Sequence, residues 1–503
     1  MFTKAKELKS YGIRNPFLQE LIWFHRIEKD QDKELLLLEF LNVCASQNKQ
    51  DNLFNKKIVK VAYRKDMQVR VILYNFPELE QIVKSSKEEI NKWEEIEDTL
   101  ARNSENTYEY TYLKNKFETV DVFYKSVQIL RKGSLGLNTS RRWTSKFLFP
   151  FSFNTLFVDT NNKEPFTLDR RFFSRGGEVL YLMISRGKNI DTLKQLILDR
   201  FYYSKQNIRW DSLLETFRDD SNIESEAKPL GFLSTDSHEI FDQLVDDLIS
   251  LFESNISHND TFEHFSSIAA YYMTHFILTK ALETTKTSLL NSGEIKVVYP
   301  IELMSPKSDH VRRSSRQTYK INEDLPLEAL SKVFNMYMNQ IAELSDKDEI
   351  LKKLDDDLNY SDVDDRDEEE LNIEDIRQKI WKEILKKAKA DLTSIHRVLL
   401  RGVGLASVKK TNSYRYLASD EWLKTLVLIN INSRLTFNEF IEHLYSKYGF
   451  VISNKHSILL TDNYSENDFK KNEQRLFERL RALGLLENKS DGYAYVINRY
   501  GRK

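Results

Sequence analysis

A single cysteine, Cys44, stands in a chain of 503 residues. That excludes an internal disulfide and any cysteine cluster for zinc or iron–sulfur chemistry. Cys44 closes the apolar run Leu35–Val43 with no basic neighbour to lower its pKa, so a buried, unreactive thiol is expected. Glycine (14) and proline (8) are scarce, about 4% of the chain against roughly 12% in average usage. Few breakers mean few tight turns, which favours long helices over sandwiches or barrels. No apolar stretch approaches the roughly 18 to 20 residues of a bilayer span, and Met1–Glu7 lacks the apolar core of a signal peptide. The expectation is a soluble, cytoplasmic protein without a membrane partner. Charge of one sign is also lacking: 75 Lys and Arg face 77 Asp and Glu, a net charge of −2. Any DNA surface must therefore be a local basic patch on a near-neutral body.

What is present is helical periodicity, in a chain too long for one ordinary core. The expected fold class is mainly α, a multi-domain helical body with a C-terminal winged-helix-like domain. Residues 1–150 read as a mostly helical domain, in which 78–100 form one exposed amphipathic helix and Val69–Tyr74 a strand or a buried helix turn. Residues 151–345 read as a second helical domain. Ten acidic residues between Asp355 and Glu370, opposed only by Arg366, resist burial, so 346–372 is taken as an acidic linker. A helical connector with a strongly basic face follows over 373–417.

The terminal segment, 418–503, carries the clearest local signals. Ser419 caps a helix from Asp420 to about Asn430. Thr436-Phe437-Asn438-Glu439 is a capping box opening a helix that Gly449 stops, and Phe450–Ile452 offers a short strand. Ser465-Glu466-Asn467-Asp468 opens a third helix ending at Gly484. Two strand-like runs, Leu485–Glu487 and Tyr493–Ile497, then flank the turn residues Lys489–Gly492. In winged helices the third helix usually enters the major groove. Here it offers Lys470, Lys471, Arg475, Arg479 and Arg481 for phosphates, with Asn472 and Gln474 for base edges if they face outward. Duplex DNA and a neighbouring subunit are both candidate partners.

Other constellations are weaker. Arg131, Lys132, Arg141, Arg142 and Lys146 interleave with Trp143, Phe147 and Phe149, a mixture that can bind a nucleic acid, although solvated charges around buried aromatics are the favoured reading. Arg170, Arg171 and Arg175 precede Gly176-Gly177, where a helix start could hold a phosphate; close packing of the two glycines is preferred. Arg312, Arg313 and Arg316 read as a solvated cluster in a polar loop. Gly404–Thr411 mimics a phosphate loop but has Lys409 in place of the second glycine. Glu294 and Lys296 are the end of a metal-nuclease pattern without an upstream acid. His258, His264 and His275 lack metal-ligand spacing. No catalytic residue, metal or cofactor is assigned.

Arg175–Leu182 together with Leu444–Ile452 resembles accessory proteins encoded in bacterial anti-phage defence clusters linked to DNA modification, either methylation- or phosphorothioation-associated. The resemblance implies partnership with ATPase, nuclease or methyltransferase subunits that this chain does not contain, and it transfers no catalytic residue. The leading expectation is a non-enzymatic DNA-associated accessory subunit, with a helical docking body and a mobile terminal reader. A helical interaction scaffold without a DNA role is the second, and a divergent metal-dependent nuclease centred on Glu294 and Lys296 the third.

Overall fold

The computed structural model describes residues 16–25, 27, 29, 31–49, 51–56, 60–61, 71–73, 76–104, 108–133, 175–202, 212–213, 215–219, 228–229, 237–303, 309–344, 346–358, 372–408, 413–460, 466–488 and 493–501. It is mainly helical, with short strands concentrated toward the C-terminus. Two compact units divide the chain: Glu34–Tyr181 with Ile190–Leu230, and Met1–Lys33 with Leu182–Asn189 and Gly231–Lys503.

In the unit that begins at Glu34, α1 (Lys33–Lys49) is followed by α2 (Leu79–Lys84), α3 (Glu89–Asn103), α4 (Val120–Gly133) and the helix α5 (Gly176–Ile184). The expected single helix over 78–100 is thus two, interrupted at Ser85–Glu88, where Ser85 turns to an extended backbone and its hydroxyl bonds to Ile82 O. Trp93, Ile96 and Leu100 of α3 pack with Phe123, Val127 and Leu130 of α4 in one core. Val71–Leu73 is helical, settling the strand-or-helix alternative for those three residues. Arg131 donates to Leu73 O at 2.6 Å and to Phe76 O at 3.0 Å. It thereby supplies donors to carbonyls at the end of that helical turn. The patch's Arg141, Arg142, Trp143, Lys146, Phe147 and Phe149 lie outside the described residues.

The other unit is built on α6 (Glu239–Glu253), α7 (His258–Thr285), α8 (Asp309–Ala342) and α10 (Ile373–Val403), with α9 (Lys347–Leu358) between the last two. The expected linker thus starts as a helix. Ile350, Leu354 and Leu358 recur every four residues and are buried, so an apolar stripe outweighs the charge around it; 359–371 lies outside the described residues.

Beyond α10 come the hairpin β2 (Ala406–Val408) and β3 (Tyr414–Tyr416), then α11 (Asp420–Asn430), β4 (Arg434–Thr436) and α12 (Phe437–Tyr448). After them come β5 (Phe450–Val451), α13 (Glu466–Ala482), β6 (Leu486–Asn488) and β7 (Ala494–Ile497). Strand β7 is central in a three-stranded antiparallel sheet of order β4-β7-β6. Its register sets Leu435 and Leu486 opposite the same residue, Val496. The caps at Ser419 and Thr436 form as expected, and Glu439 completes the capping box. Ser465 and the turn 489–492 lie outside the described residues.

This terminal segment belongs to the same compact unit as α6 to α10. Strand β5 pairs in parallel with β1, the short strand Tyr299–Pro300, at Tyr299↔Phe450 and Pro300↔Val451. Gly449 permits the approach: its φ is +71°, and a Cβ there would lie 2.1 Å from Val297 O. Below it, buried Asp247 on α6 accepts from Tyr272 (2.6 Å), from Tyr448 (2.9 Å) and from Lys447. Removing a charge from water is offset here by three donors drawn from α7 and α12, and burial still raises the Asp247 pKa against the pull of Lys447.

Candidate nucleic-acid interface

Helix α13 is amphipathic, and its buried positions Phe469, Asn472, Leu476 and Leu480 follow one stripe. Asn472, expected as a base reader if outward, is instead fully buried. Its Nδ2 donates to Ile301 O (2.9 Å) and Ile452 O (3.0 Å), and its Oδ1 accepts from Leu303 N (2.8 Å). The helical period places position 472 three residues after Phe469 and four before Leu476, so the apolar stripe carries the amide inward. A purely charge-based reading overlooks that.

The other candidates on α13 lie outward, and several are already engaged. Lys470 pairs with Glu466 at 2.7 Å and Arg475 with Glu478 at 2.9 Å. Arg479 is half-buried, pairs with Asp420 and donates to Ala418 O at 2.7 Å. Gln474, Lys471 and Arg481 are exposed, and among the described residues neither of these two cations has an ion pair. Across the whole helix five cations meet the four acids Glu466, Asp468, Glu473 and Glu478. The net excess is one.

Helix α10 has a different balance. Between Lys379 and Arg401 it holds Lys379, Lys382, Lys386, Lys387, Lys389, Arg397 and Arg401 against Glu383 and Asp391. Asp391 is buried and accepts from Lys29 N at 3.3 Å, leaving Glu383 as the exposed acid of that span. A groove of about 590 Å³ is lined by Lys386, Lys389, Ser394, Arg397 and Arg401 together with Tyr414 of β3. With Ala390 and Thr393, which also line it, these helix positions are linked by three- and four-residue intervals, so they share a face about 22 Å long.

The floor of the groove is fixed. Arg397 is bound through both Nε (2.6 Å) and Nη2 (3.2 Å) by buried Glu323 of α8, which holds its pKa above the ordinary value. Its guanidinium lies 5.2 Å from the Tyr414 ring centroid, and that ring stacks on Tyr319 at 5.3 Å. The aromatic surface is thus engaged within the protein and is poorly placed to stack a base. Beneath it His396 is buried, and burial together with the Arg397 charge lowers its pKa to about 3. It is neutral at physiological pH. What α10 offers is a row of cations suited to phosphates. Sequence contained this signal, seven cations against two acids, but the fold order had directed attention to the third helix of the terminal segment.

Of the second basic patch, Arg175 takes part in packing. Arg170 and Arg171 lie outside the described residues, while Arg175 is buried with φ +65°. The amides beside it are occupied by the chain's own carboxylate: Arg175 N donates to Glu39 Oε1 (3.1 Å) and Gly177 N to Glu39 Oε2 (2.7 Å). A Cβ at Gly177 would lie 2.4 Å from Phe40 N. Burial and then nearby Glu178 raise the Glu39 pKa, against the pull of the amides and Arg175. Glu39 therefore fills the position that an external phosphate would need.

The Arg312 cluster lies on α8 rather than in a loop, and Arg312 reaches Glu302 through Nε and Nη2 at 3.0 and 2.8 Å. Elsewhere, Lys296 donates to Ser446 O at 3.0 Å, and no group of three His, Cys, Asp or Glu suited to a metal occurs among the described residues. His264 meets Thr425 at 2.7 Å, and His275 meets Tyr299 at 3.0 Å. Gly404 ends α10 in a left-handed conformation and leads into β2, so the sequence resembling a phosphate loop has helix before and strand after it. Cys44 is buried, which raises its thiol pKa. No helix among the described residues is long and apolar enough to cross a membrane.

Comparison of the chain with protein-family models, curated proteins and solved structures finds no match.

Proposed function

We propose that this protein is a non-enzymatic, DNA-associated accessory subunit that grips the duplex backbone chiefly through the cationic face of α10. The single observation carrying this reading is the groove of Lys386, Lys389, Arg397 and Arg401 on a helix whose cations outnumber its acids from Lys379 onward. Duplex DNA carries about one negative charge per 1.7 Å of axis, so a face about 22 Å long meets several phosphates.

Residues 420–497 are read as a winged helix, supported by helices α11, α12 and α13 and by the sheet order β4-β7-β6. In that reading α13 is a secondary contact, because its net excess is one cation and Asn472 is turned inward. The setting in a bacterial defence complex rests on the resemblance alone. Its two segments serve packing here, Arg175–Leu182 around Glu39 and Leu444–Ile452 at the β5 junction. What they support is therefore shared architecture with a docking role toward other subunits, and no reaction.

The test is titration of labelled duplex with the full chain at roughly 50 and 200 mM salt. Affinity should fall steeply with salt. Absent or salt-insensitive binding would sink the DNA role and leave the helical interaction scaffold.

A further inference from the structure

A second cationic site lies at the beginning of α8. Arg312, Arg313, Arg316 and Gln317 line a cavity of about 500 Å³, a size typical of small-molecule sites. Position 316 lies four residues after 312 and three after 313, and 317 four after 313, so the cluster covers one side of the helix. They are the fourth to ninth residues of a helix running from Asp309 to Ala342, and Arg312, at the end of its first turn, lies where the helix dipole adds positive potential.

Charge beneath the cavity is unbalanced. Glu302 is 5% exposed, and this one carboxylate serves two guanidiniums: Arg312 through Oε1 at 2.8 Å and Arg415 through Oε2. Arg415 is itself 6% exposed. Among the described residues one negative charge therefore answers two positive ones in a poorly hydrated place, and Arg313 and Arg316 add two more at the rim. The Nε of Arg316 is buried and has no hydrogen-bond partner among the described residues. A buried guanidinium donor left unmade is costly, and an oxyanion in the cavity would satisfy it.

We propose that this pocket binds a phosphate-bearing ligand of oligophosphate type, with Arg313 and Arg316 as its main contacts and the Glu302-held Arg312 as a fixed third donor. Arginine suits the role because its planar fork meets two phosphate oxygens at once. Glu302 orients Arg312 and consumes only part of its donor set. The inference does not depend on DNA binding by α10, since none of these residues lines that groove.

Inorganic pyrophosphate titrated calorimetrically into the full chain should show one saturable site. Arg316→Gln should weaken it by at least about tenfold, the loss of one charge-assisted pair, while duplex affinity stays within about twofold of the parent because no α10 phosphate contact is lost. Arg313→Gln, at an exposed position with no ion pair among the described residues, provides a second variant if Arg316→Gln fails to fold. Displacement of pyrophosphate by a nucleoside triphosphate, with no displacement by duplex, would support a free nucleotide as the source. Displacement by a 5′-phosphorylated duplex but not by its 5′-hydroxyl counterpart would support a nucleic-acid end. Equal displacement by both duplexes would overturn a discrete site and merge the cluster with the backbone surface. No pyrophosphate binding, or binding unchanged in the arginine variants, would overturn the proposal outright.

Discussion

Helices α10 and α13 are both long, amphipathic and rich in Lys and Arg, yet they present different potentials. On α13 acids alternate with the cations, and Glu466, Glu478 and Asp420 lie within ion-pair distance of Lys470, Arg475 and Arg479. Such exposed pairs stabilise little, but they cancel the local field that a phosphate would feel. On α10 the cations from Lys386 to Arg401 share their exposed face with no acid. The buried sides differ too: α13 carries the polar anchor Asn472, and α10 a mainly apolar stripe from Ile376 to Val403 that also contains Asp391, Thr393 and one neutral histidine. Counting basic residues on a helix is therefore a poor guide to binding; the positions of the intervening acids decide.

The largest expected effect tests the buried side of α13. Asn472→Ala removes three hydrogen bonds and leaves Ile301 O, Ile452 O and Leu303 N without that partner. At about 1 kcal/mol or more for each stranded group, unfolding in denaturant should show a loss of about 2–4 kcal/mol. An undiminished stability together with lost DNA binding would return Asn472 to the interface and break the comparison.

Next in size is the exposed side of α10. The triple variant Lys386→Gln, Lys389→Gln, Arg401→Gln should weaken duplex binding by about 30-fold near 50 mM salt and flatten the log–log salt slope by about 2 to 3, as expected for three lost phosphate contacts. An unaltered slope would mean that these cations do not meet phosphate.

Acidification should also separate the two helices, because α10 contains a histidine and α13 none. Burial, with the Arg397 charge beside it, lowers the His396 pKa from an ordinary value of 6.5 to about 3. The unfolded chain therefore takes up the proton first. Stability from this group is complete above pH 6.5 and is lost as pH falls toward 3, by about 2 kcal/mol at pH 5. His275 on α7 is shifted in the same direction by burial and by the charges of Lys296 and His238. The thermal midpoint of His396→Gln should depend less on pH between 7 and 5 than that of the parent chain. An identical slope in both would show that His396 does not carry the effect.

How much of this was legible in sequence depended on how local the cause was. Scarce glycine and proline pointed correctly to a mainly helical chain, and the caps at Ser419 and Thr436 and the stop at Gly449 each form with partners three to five residues away. Strand β4 escaped notice because Arg434–Thr436 gains its ladder only from β7, some sixty positions later in the chain. The inward turn of Asn472 was hidden for a similar reason: its partners are Ile301, Leu303 and Ile452, far away in sequence. In the expected linker 346–372 acidic composition dominates the reading, whereas Ile350, Leu354 and Leu358 are sufficient for a helix over Lys347–Leu358. In the candidate sites the cations were visible in sequence, but their partners were not. Glu39 beside Gly177 and Glu302 between Arg312 and Arg415 are long-range choices of the fold.

The smallest expected effect is also the sharpest test of rank between the two helices. Lys471→Glu with Arg481→Glu reverses the two exposed α13 cations that lack an ion pair among the described residues. If α13 is a secondary contact, duplex affinity near 50 mM salt should fall no more than about threefold, the scale of a weak, screened contribution. A loss above about tenfold would exceed what screening permits for a peripheral site. It would invert the comparison, making α13 the reader and α10 the support, and would show that position within the β4-β7-β6 segment outweighs net charge.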